Sequence, residues 1–497
     1  MADIQVSAAK SWKRSLLFRL GAIAIGLLPF LLFEVTLWSL GWQSADAITD
    51  PYIGFTEIRP LFEVNAEEGE YEIASNRLPL FCEAKFPITK ADNEFRIFCI
   101  GGSTVQGRPF APDTSFPKWL QLRLEKLDAS KKWTVVNCGG VSYASYRLVP
   151  IVKEVLEYKP DLIVLYTGQN EFLEDRTYSQ IKKLPRWIGS THDRLSKVRT
   201  YSFLRASLMG GSSRPLDPEN VLPADVEARL DFRGGLEQYE RDDDWRNNVI
   251  DHFEQNLNVM VRAAQAVNVP LILCNPVTNL RDASPFKSQH SASMTDAELS
   301  VFESEWQSIN GEMEWQQIKS KLEKLVEINP RHAGAHYKLG QVYQQLGQLE
   351  SAKHHLILAK EEDVCPLRIV EPMYAVIGRV AKSNELPIVD VKAFFEGVAP
   401  DGIPGRESML DHVHPTIFGH QQISELLLLE MIEQGWVDAS TGERDCGDVF
   451  REHLSALPFL YFELGKDRLA GLKRWAEGKV TRERPIEQSR LCDGGLK

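Results

Sequence analysis

Five short apolar segments alternate with amphipathic helical segments along the chain, and this alternation restricts the fold more than any other feature. The candidate strands are FRIFCI (95–100), WTVVNC (133–138), DLIVLYTG (161–168), PLILCNP (270–276) and LPIVDV (386–391). Apolar residues recur at helical spacing in 115–127, 147–158, 251–267 and 419–435. Buried strands separated by helices of this length form parallel sheets. The sequence therefore predicts the α/β class, with helices covering both faces of a parallel sheet.

Length, charge and cysteine content narrow the class further. A chain of 497 residues is too long for one core, so two or three folding units are expected. The net charge of −12, with no long basic stretch, argues against a nucleic-acid partner. None of the seven cysteines forms a C-x-x-C pair, which argues against a zinc knuckle or a redox dithiol. Cys99, Cys138 and Cys274 lie in apolar runs, and we expect buried thiols there.

The N-terminal region contains a candidate membrane anchor. Residues 20–42 are apolar except for Glu34, a length that can cross a bilayer as a helix. Basic residues precede this run and none follows it directly, so we expect 1–19 in the cytoplasm and the remainder outside, which is the periplasm if the source is bacterial. The alternative is a cleaved signal peptide, because Ala45-Asp46-Ala47 resembles a cleavage site. We favour the uncleaved anchor because the apolar run is long for a signal peptide.

A helical segment, 281–380, interrupts the strand–helix alternation. Within it, 333–366 has small and aromatic residues at offsets that resemble a tetratricopeptide repeat, which is a pair of packed helices. One expected function of such a repeat is to bind a protein partner. A plain helical hairpin is the alternative. One repeat and a half is less than such arrays need for independent stability, so we expect this segment to pack on the sheet. The flanking segments are a connector at 43–94 and a helical C-terminal extension at 436–497.

Four polar motifs follow the candidate strands. CIGGSTV (99–105) places Ser103 after two glycines, and YTGQNEF (166–172) places Asn170 after the third strand. VVNCGGVSYASY (135–146) follows the second strand and contains Gly140 and Ser142. MLDHVHPTIFGH (409–420) follows the last strand. Because parallel strands end at one edge of their sheet, where α/β proteins bind ligands, we expect the four motifs to meet there.

The last motif supplies an acid and a base three residues apart, Asp411 and His414. On a helical turn the two side chains share one face and can hydrogen-bond. A serine hydroxyl becomes a nucleophile when an imidazole accepts its proton and an acid orients that imidazole. His412, His420 and Asp390 are weaker alternatives for these roles, and three histidines with an aspartate could instead bind zinc.

In this order the four motifs resemble those of the SGNH, or GDSL-type, hydrolases. The resemblance covers 95–280 and 381–435 and implies a three-layer α/β/α fold with about five parallel strands. It also implies a catalytic triad of Ser103, His414 and Asp411. The oxyanion would be held by Ser103 N–H, by Asn170, and by Ser142 or Gly140 in the second motif. The sequence departs from the family pattern at three points. The chain has GGST where the family has GDSL, and Glu171 where the family has Asp. In the second motif, Ser142 stands at the position of the family's glycine, and Gly140 lies two residues earlier.

The resemblance implies an esterase without a metal or an organic cofactor. The expected substrate is an acyl ester, with a short acyl chain, of a carbohydrate or a lipid, hydrolysed outside the cytoplasm by a membrane-anchored enzyme. Two alternatives remain open at this point. The same triad could transfer the acyl group to a glycan, or the chain could be a scaffold with an inactive hydrolase domain and a protein-binding helical repeat.

Overall fold

The computed structural model describes residues 28–40, 60–174, 198–200, 228–309, 313–440 and 447–482, together with a few isolated positions. The chain divides into two compact units, one formed by 1–57 and 183–222 and the other by 58–182 and 223–497. In the smaller unit, residues 28–39 are helical, and the Glu34 carboxylate accepts hydrogen bonds from the Thr200 amide and hydroxyl at 2.7 and 2.9 Å.

The predicted membrane anchor at 20–42 lies partly outside the described residues. Within the described part of the chain, no helix combines the length and the apolar character that crossing a membrane requires.

The larger unit contains two sheets, whose strands we number in chain order. They are β1 (Phe62–Asn65), β2 (Glu70–Ile73), β3 (Lys85–Pro87), β4 (Glu94–Gly101), β5 (Lys132–Gly139), β6 (Leu162–Tyr166), β7 (Leu271–Cys274) and β8 (Ile388–Val389). Strands β4–β8 form a parallel sheet with the order β5-β4-β6-β7-β8. The predicted five parallel strands are therefore confirmed, although the last two are shorter than the apolar segments that indicate them.

Within the described residues of the larger unit, thirteen α-helices are numbered in the same way. They are α1 (Ser103–Gln106), α2 (Phe116–Leu127), α3 (Ser145–Leu156), α4 (Asp243–Ala266), α5 (Asp296–Ser308), α6 (Trp315–Ile328), α7 (Ala333–Gln345), α8 (Leu349–Glu361), α9 (Glu371–Ser383), α10 (Val391–Val398), α11 (Ile417–Glu433), α12 (Gly447–Ala456) and α13 (Phe459–Ala476). Helices α2 and α11 pack together, as α3, α4 and α9 do.

The parallel sheet is buried on both faces because successive side chains of each strand point to opposite sides. Ile97 and Cys99 of β4 belong to the apolar core that also contains residues of α2 and α11. Phe98 and Ile100, the alternate residues of the same strand, are likewise fully buried. The result is the α/β/α arrangement that the family resemblance implies.

A small antiparallel sheet, β1-β2-β3, forms within the segment that the sequence indicates only as a connector. It packs on the parallel sheet through aromatic rings, with the Phe86 centroid 5.3 Å from that of Phe98. The Glu154 carboxylate of α3 accepts hydrogen bonds from the amides of Leu61 and Phe62 at 2.7 and 2.8 Å. The small sheet is therefore attached through both its rings and its backbone.

The helical segment forms a second core, made by α5–α8 with two residues from outside it. Leu322, Leu339 and Leu356 are almost completely buried, and Leu280 and Ile403 complete the cluster. Leu280 and Ile403 belong to the unit that contains the parallel sheet, so the helical segment packs on that unit, as expected. Helix α9 begins inside the predicted 281–380 segment and ends at Ser383, yet it packs on α4 and β7.

The C-terminal helix α13 docks on the loop between α1 and α2. The Arg468 guanidinium donates to the carbonyls of Pro109 and Phe110, each at 3.1 Å. The Tyr461 hydroxyl accepts a hydrogen bond from the Thr114 amide at 3.0 Å. Gly465 allows the close approach, since a β-carbon there would lie 2.0 Å from the Phe110 ring.

Two glycine-to-alanine substitutions within helices should have opposite effects, because only Gly465 lies in this contact. Gly465→Ala should lower the free energy of unfolding by about 1–3 kcal/mol, because the added methyl group overlaps the Phe110 ring. Gly378→Ala in α9 meets no atom within 4 Å and should raise it by about 0.5–1 kcal/mol through helix propensity. Urea denaturation followed by circular dichroism measures both. Equal effects of the two substitutions would contradict the docking.

Candidate active site

The polar motifs meet where the parallel strands end. Strand β4 ends at Gly101 and β6 at Tyr166, and the two residues are register partners. Because β5 pairs with the other edge of β4, connections leave this point in opposite directions, which creates a crevice at the carboxyl ends. Ser103 opens α1 after β4, and Asn170 follows β6. The chain order of the strands therefore brings these two motifs to one crevice.

Three of the predicted side chains form a continuous hydrogen-bonded chain. The Ser103 hydroxyl donates to Nε2 of His414 at 2.8 Å. Nδ1 of the same imidazole donates to Oδ2 of Asp411 at 2.7 Å. Ser103 is 9% exposed and His414 is 3% exposed, so the chain of hydrogen bonds is largely shielded from water.

Asp411 and His414 lie in a closed loop and not on the helical turn that their spacing predicts. Met409 and Pro415 form an antiparallel bridge across this loop. The second carboxylate oxygen, Oδ1, accepts hydrogen bonds from the amides of Val413 and His414 at 2.9 and 2.8 Å. Aspartate often closes a turn in this way. One carboxylate thus shapes the backbone of the loop and orients the imidazole on it.

The surroundings keep Asp411 ionised. Burial alone would raise the pKa of its carboxyl, but His414, His412 and the Val413 amide together lower that pKa below its usual value. An ionised Asp411 fixes the proton of His414 on Nδ1, which leaves Nε2 free to accept a proton from Ser103.

The second motif borders the crevice with Val141 and Ser142. The Gly140 N–H donates to the Gly101 carbonyl at 3.0 Å and is therefore occupied. Ser142 has a positive φ of 63° and borders the cavity beside Ser103. Its amide is not a donor in any backbone hydrogen bond within the described part of the chain. Of the two predicted donors, Ser142 is the one whose N–H can serve a ligand.

Asn170 is positioned by its own amide group. One Nδ2 hydrogen donates to the Tyr143 carbonyl at 3.0 Å, which leaves the second for the cavity that Asn170 borders. Gly102 is required beside it, because a β-carbon at that position would lie 2.5 Å from Nδ2. The second glycine of CIGGSTV therefore gives the asparagine amide room next to Ser103.

The weaker alternatives lie elsewhere. Asp390 caps α10 by accepting a hydrogen bond from the Ala393 amide at 2.9 Å. His420 is buried beside Phe116, and burial lowers its pKa to about 3. His412 borders the cavity with its Nδ1 3.8 Å from Asp411, and burial lowers its pKa to about 4. Among the described residues, no group of three or more His, Cys, Asp or Glu side chains could hold a metal ion, so the zinc alternative has no support there.

A cavity of about 380 Å³ opens at Ser103. Its lining comes from three strand-end motifs, the Asp411 loop and helix α13, whose contribution sequence reasoning missed. The residues are Ser103, Arg108, Val141, Ser142, Gln169, Asn170, Leu173, Asp231, Leu367, His412, Val413, His414, Arg468, Gly471, Leu472 and Trp475. The Trp475 indole donates to Asp231 at 2.8 Å, which holds α13 over this cavity.

Thr104 and Gln169 also support the site and are absent from the predicted set. The Thr104 hydroxyl lies 3.0 Å from Oε1 of Gln169 and 3.3 Å from the carbonyl of Val413. Nε2 of Gln169 donates to the Val277 carbonyl at 2.9 Å. These bonds connect the first, third and last motifs. Their position next to Ser103 and Asn170 is the only sequence signal that could have indicated them.

The predicted burial of cysteine is confirmed at Cys99, Cys138 and Cys274, which are free thiols. Burial raises the pKa of each of the three thiols, so none is a reactive thiolate at neutral pH.

Comparison with known proteins supports the repeat and finds distant likenesses for the fold. A family model described as a tetratricopeptide repeat matches residues 321–354, which lie across α6, α7 and the start of α8. The match begins at 321 and not at the predicted 333, so it includes part of α6. No curated protein matches the chain.

Among solved structures, the chain is similar to several lipolytic enzymes at low scores. A lipase/acylhydrolase from Enterococcus faecalis shares 13% identity at a TM-score of 0.30, covering 70% of this chain and 100% of the other. A GDSL-like lipase from Bacteroides thetaiotaomicron shares 12% identity at a TM-score of 0.28, covering 70% and 92%. Likenesses at this distance assign no activity to the chain.

Beside Asn170, the buried Glu171 carboxyl predicts a pH-dependent stability. It accepts hydrogen bonds from the Ser145 amide and hydroxyl at 2.8 and 2.7 Å, and burial raises its pKa from 4.5 to about 7. A raised pKa means that the folded state binds the proton more tightly, so this contribution to stability is lost as pH rises from 4.5 to 7. Relative to Glu171→Gln, the wild type should lose about 3 kcal/mol across this window.

Urea denaturation of both proteins at pH 5 and pH 8 measures the difference. Glu157→Gln, at an exposed residue that follows α3, is the matched control. Because this variant retains Glu171, its stability relative to the wild type should be the same at both pH values. A constant difference between wild type and Glu171→Gln at the two pH values would contradict the assignment.

Proposed function

We propose that this chain is a serine esterase that hydrolyses acyl esters of a carbohydrate or a lipid, with Ser103 as nucleophile. One observation carries the proposal, the continuous chain of hydrogen bonds from Asp411 through His414 to Ser103, with distances of 2.7 and 2.8 Å. Ser103 borders a cavity of about 380 Å³, which is large enough for a small ester.

In the proposed reaction, Oγ of Ser103 attacks the ester carbonyl while Nε2 of His414 accepts the hydroxyl proton. The imidazolium, stabilised by Asp411, then donates this proton to the leaving alkoxide, and the acyl group remains on Ser103. Water attacks the acyl-enzyme and transfers a proton to His414, which returns it to Ser103 as the acid leaves. No step needs a metal or an organic cofactor.

The negative charge that develops on the carbonyl oxygen would be held by three N–H groups. These are the amides of Ser103, at the start of α1, and Ser142, together with the second Nδ2 hydrogen of Asn170. Pre-positioned donors of this kind stabilise the tetrahedral intermediate more than the ester, because the charge appears only on the way to it. Ser142 contributes its backbone, so a serine can occupy the position that the family pattern gives to glycine.

The tetratricopeptide match at 321–354 favours a second function, binding of a protein partner by the helical segment. Helices α6–α8 pack on the esterase unit through Leu280 and Ile403, so a partner bound there would be held next to the enzyme.

If a sugar hydroxyl replaces water in the second half-reaction, Ser103, His414 and Asp411 perform acyl transfer in place of hydrolysis. Analysis of the products with and without added sugar separates these two reactions.

We also propose that the enzyme acts outside the cytoplasm. The basis is the charge asymmetry of the sequence, in which the four basic residues Lys10, Lys13, Arg14 and Arg19 precede the apolar run at 20–42. Alkaline phosphatase fused after Lys497 in a bacterial host should therefore be active, because it folds only in an oxidising compartment. A fusion that is expressed but inactive would contradict this location.

The triad predicts that a fluorophosphonate probe labels the full chain at Ser103. Ser103→Ala should abolish both labelling and hydrolysis of p-nitrophenyl acetate, because the attacking oxygen is removed. Asp411→Asn should lower kcat by about 10³- to 10⁴-fold, since His414 then holds the wrong tautomer. Asn170→Ala should lower kcat by about 10²- to 10³-fold through loss of an oxyanion donor.

Two control variants sharpen this test. Ser75→Ala, an exposed serine on the same unit, should label and hydrolyse like the wild type. Ser142→Gly retains the amide N–H and tolerates the positive φ, so most of the activity should persist. Labelling of folded Ser103→Ala at the wild-type rate would refute the proposed nucleophile.

A further inference from the structure

Two arginines border the Ser103 cavity without a carboxylate partner among the described residues. Nε of Arg108 donates to the side-chain carbonyl of Gln106 at 3.0 Å, and Arg468 donates to the backbone carbonyls of Pro109 and Phe110. All three acceptors are neutral, so the hydrogen bonds position the guanidinium groups and leave their charges uncompensated.

The position of Arg108 is tied to the nucleophile. Its backbone amide donates to the Ser103 carbonyl at 3.0 Å, because the chain closes α1 and turns at Gly107 directly after it. Arg468 reaches the same cavity from α13, which docks on the loop that follows Arg108. One cation therefore comes from the nucleophile motif and the other from the C-terminal helix.

The two charges are close enough to oppose each other. Burial lowers the pKa of the Arg108 guanidinium, and the neighbouring Arg468 lowers it further. Like charges at one cavity destabilise the empty protein, and an anion placed between them would remove that cost. Arg108 is partly buried and Arg468 is exposed. A guanidinium that is shielded from water, such as that of Arg108, forms stronger bidentate contacts with carboxylate, phosphate or sulfate than an exposed one.

Within the described part of the chain, one carboxylate, that of Asp231, borders the cavity. Asp231 accepts hydrogen bonds from the Trp475 indole at 2.8 Å and from the Ala228 amide at 3.0 Å. Asp411 is bonded to His414 and to the loop backbone. Because two guanidinium groups and one carboxylate border the cavity, its lining carries more positive than negative charge, although the whole chain carries a net charge of −12.

We propose that Arg108 and Arg468 form an anion-binding subsite beside Ser103, and that the preferred ester carries a carboxylate, phosphate or sulfate group. This substrate class rests on the proposed esterase function. The anion can belong to the alcohol part of the ester, as in an acidic sugar, or to the acyl part, as in the half-ester of a dicarboxylic acid.

Two matched pairs of esters distinguish these sources in the full chain. The alcohol pair is 4-acetoxybenzoate and its neutral methyl ester, and the acyl pair is the 4-nitrophenyl half-ester of adipic acid and its methyl ester. In one pair the wild type should have a kcat/KM about ten- to a hundredfold higher for the anion, the range of one or two charge-assisted hydrogen bonds. Raised salt should reduce this ratio, because the contact is electrostatic.

Arg108→Gln and Arg468→Gln should each reduce the anionic-to-neutral ratio about tenfold, whereas Arg108→Lys should retain part of it. The matched control is Arg474→Gln, an exposed arginine of α13 that does not border the cavity, and it should leave the ratio unchanged. A wild-type ratio near one in both pairs, or a ratio that is insensitive to both substitutions, would overturn the subsite.

A binding measurement separates this proposal from the esterase function. Calorimetric titration of Ser103→Ala protein with 4-acetoxybenzoate and with monomethyl adipate needs no turnover. Binding of either anion that weakens about tenfold on adding Arg108→Gln or Arg468→Gln supports the subsite even if the wild type hydrolyses no ester. Binding that is equal with and without the two arginines overturns the subsite even if the esterase is active.

Discussion

The close approach of β4 and the turn after β6 is the constraint on which the rest of the site depends. At Gly101 a β-carbon would lie 2.1 Å from the Tyr166 carbonyl, and at Gly102 it would lie 2.5 Å from the Asn170 amide. Any larger residue would push the two strand ends apart. Because α1 starts directly after these glycines, such a shift would also move Ser103 away from His414. Two missing side chains thus permit the distance of 2.8 Å between hydroxyl and imidazole.

The central fold could be predicted from sequence because its signals are local. Each strand of the parallel sheet is a short apolar run, and the helices show regular apolar spacing, so the alternation alone indicates the class. The order of the motifs at the strand ends predicts that Ser103, Asn170, Asp411 and His414 lie together, and the structure brings them to one crevice. The loop around Asp411 was predicted with the wrong backbone, because spacing alone does not distinguish a helical turn from a loop that the aspartate itself closes.

What sequence reasoning missed depends on contacts between distant segments. The sequence of α13 indicates an ordinary amphipathic helix. Its place at the cavity follows only from the contacts of Gly465 and Arg468 with the loop between α1 and α2. Gln169 and Thr104 have neutral side chains with no chemical signature, and their role follows from hydrogen bonds to Val277 and to each other. The strands β1–β3 are only three or four residues long, which is too short for a periodic pattern to be detected.

The distance along the chain between Ser103 and His414 has a consequence for biosynthesis. Ser103 is translated early and His414 311 residues later, with the second, helical core between them. A ribosome-bound chain therefore holds an inert hydroxyl for most of its synthesis, since an unassisted serine is a poor nucleophile. Helix α13, which lines part of the cavity, is translated later still. The continuous chain of hydrogen bonds from Asp411 to Ser103 can therefore form only in chains that have been translated beyond His414 and have folded.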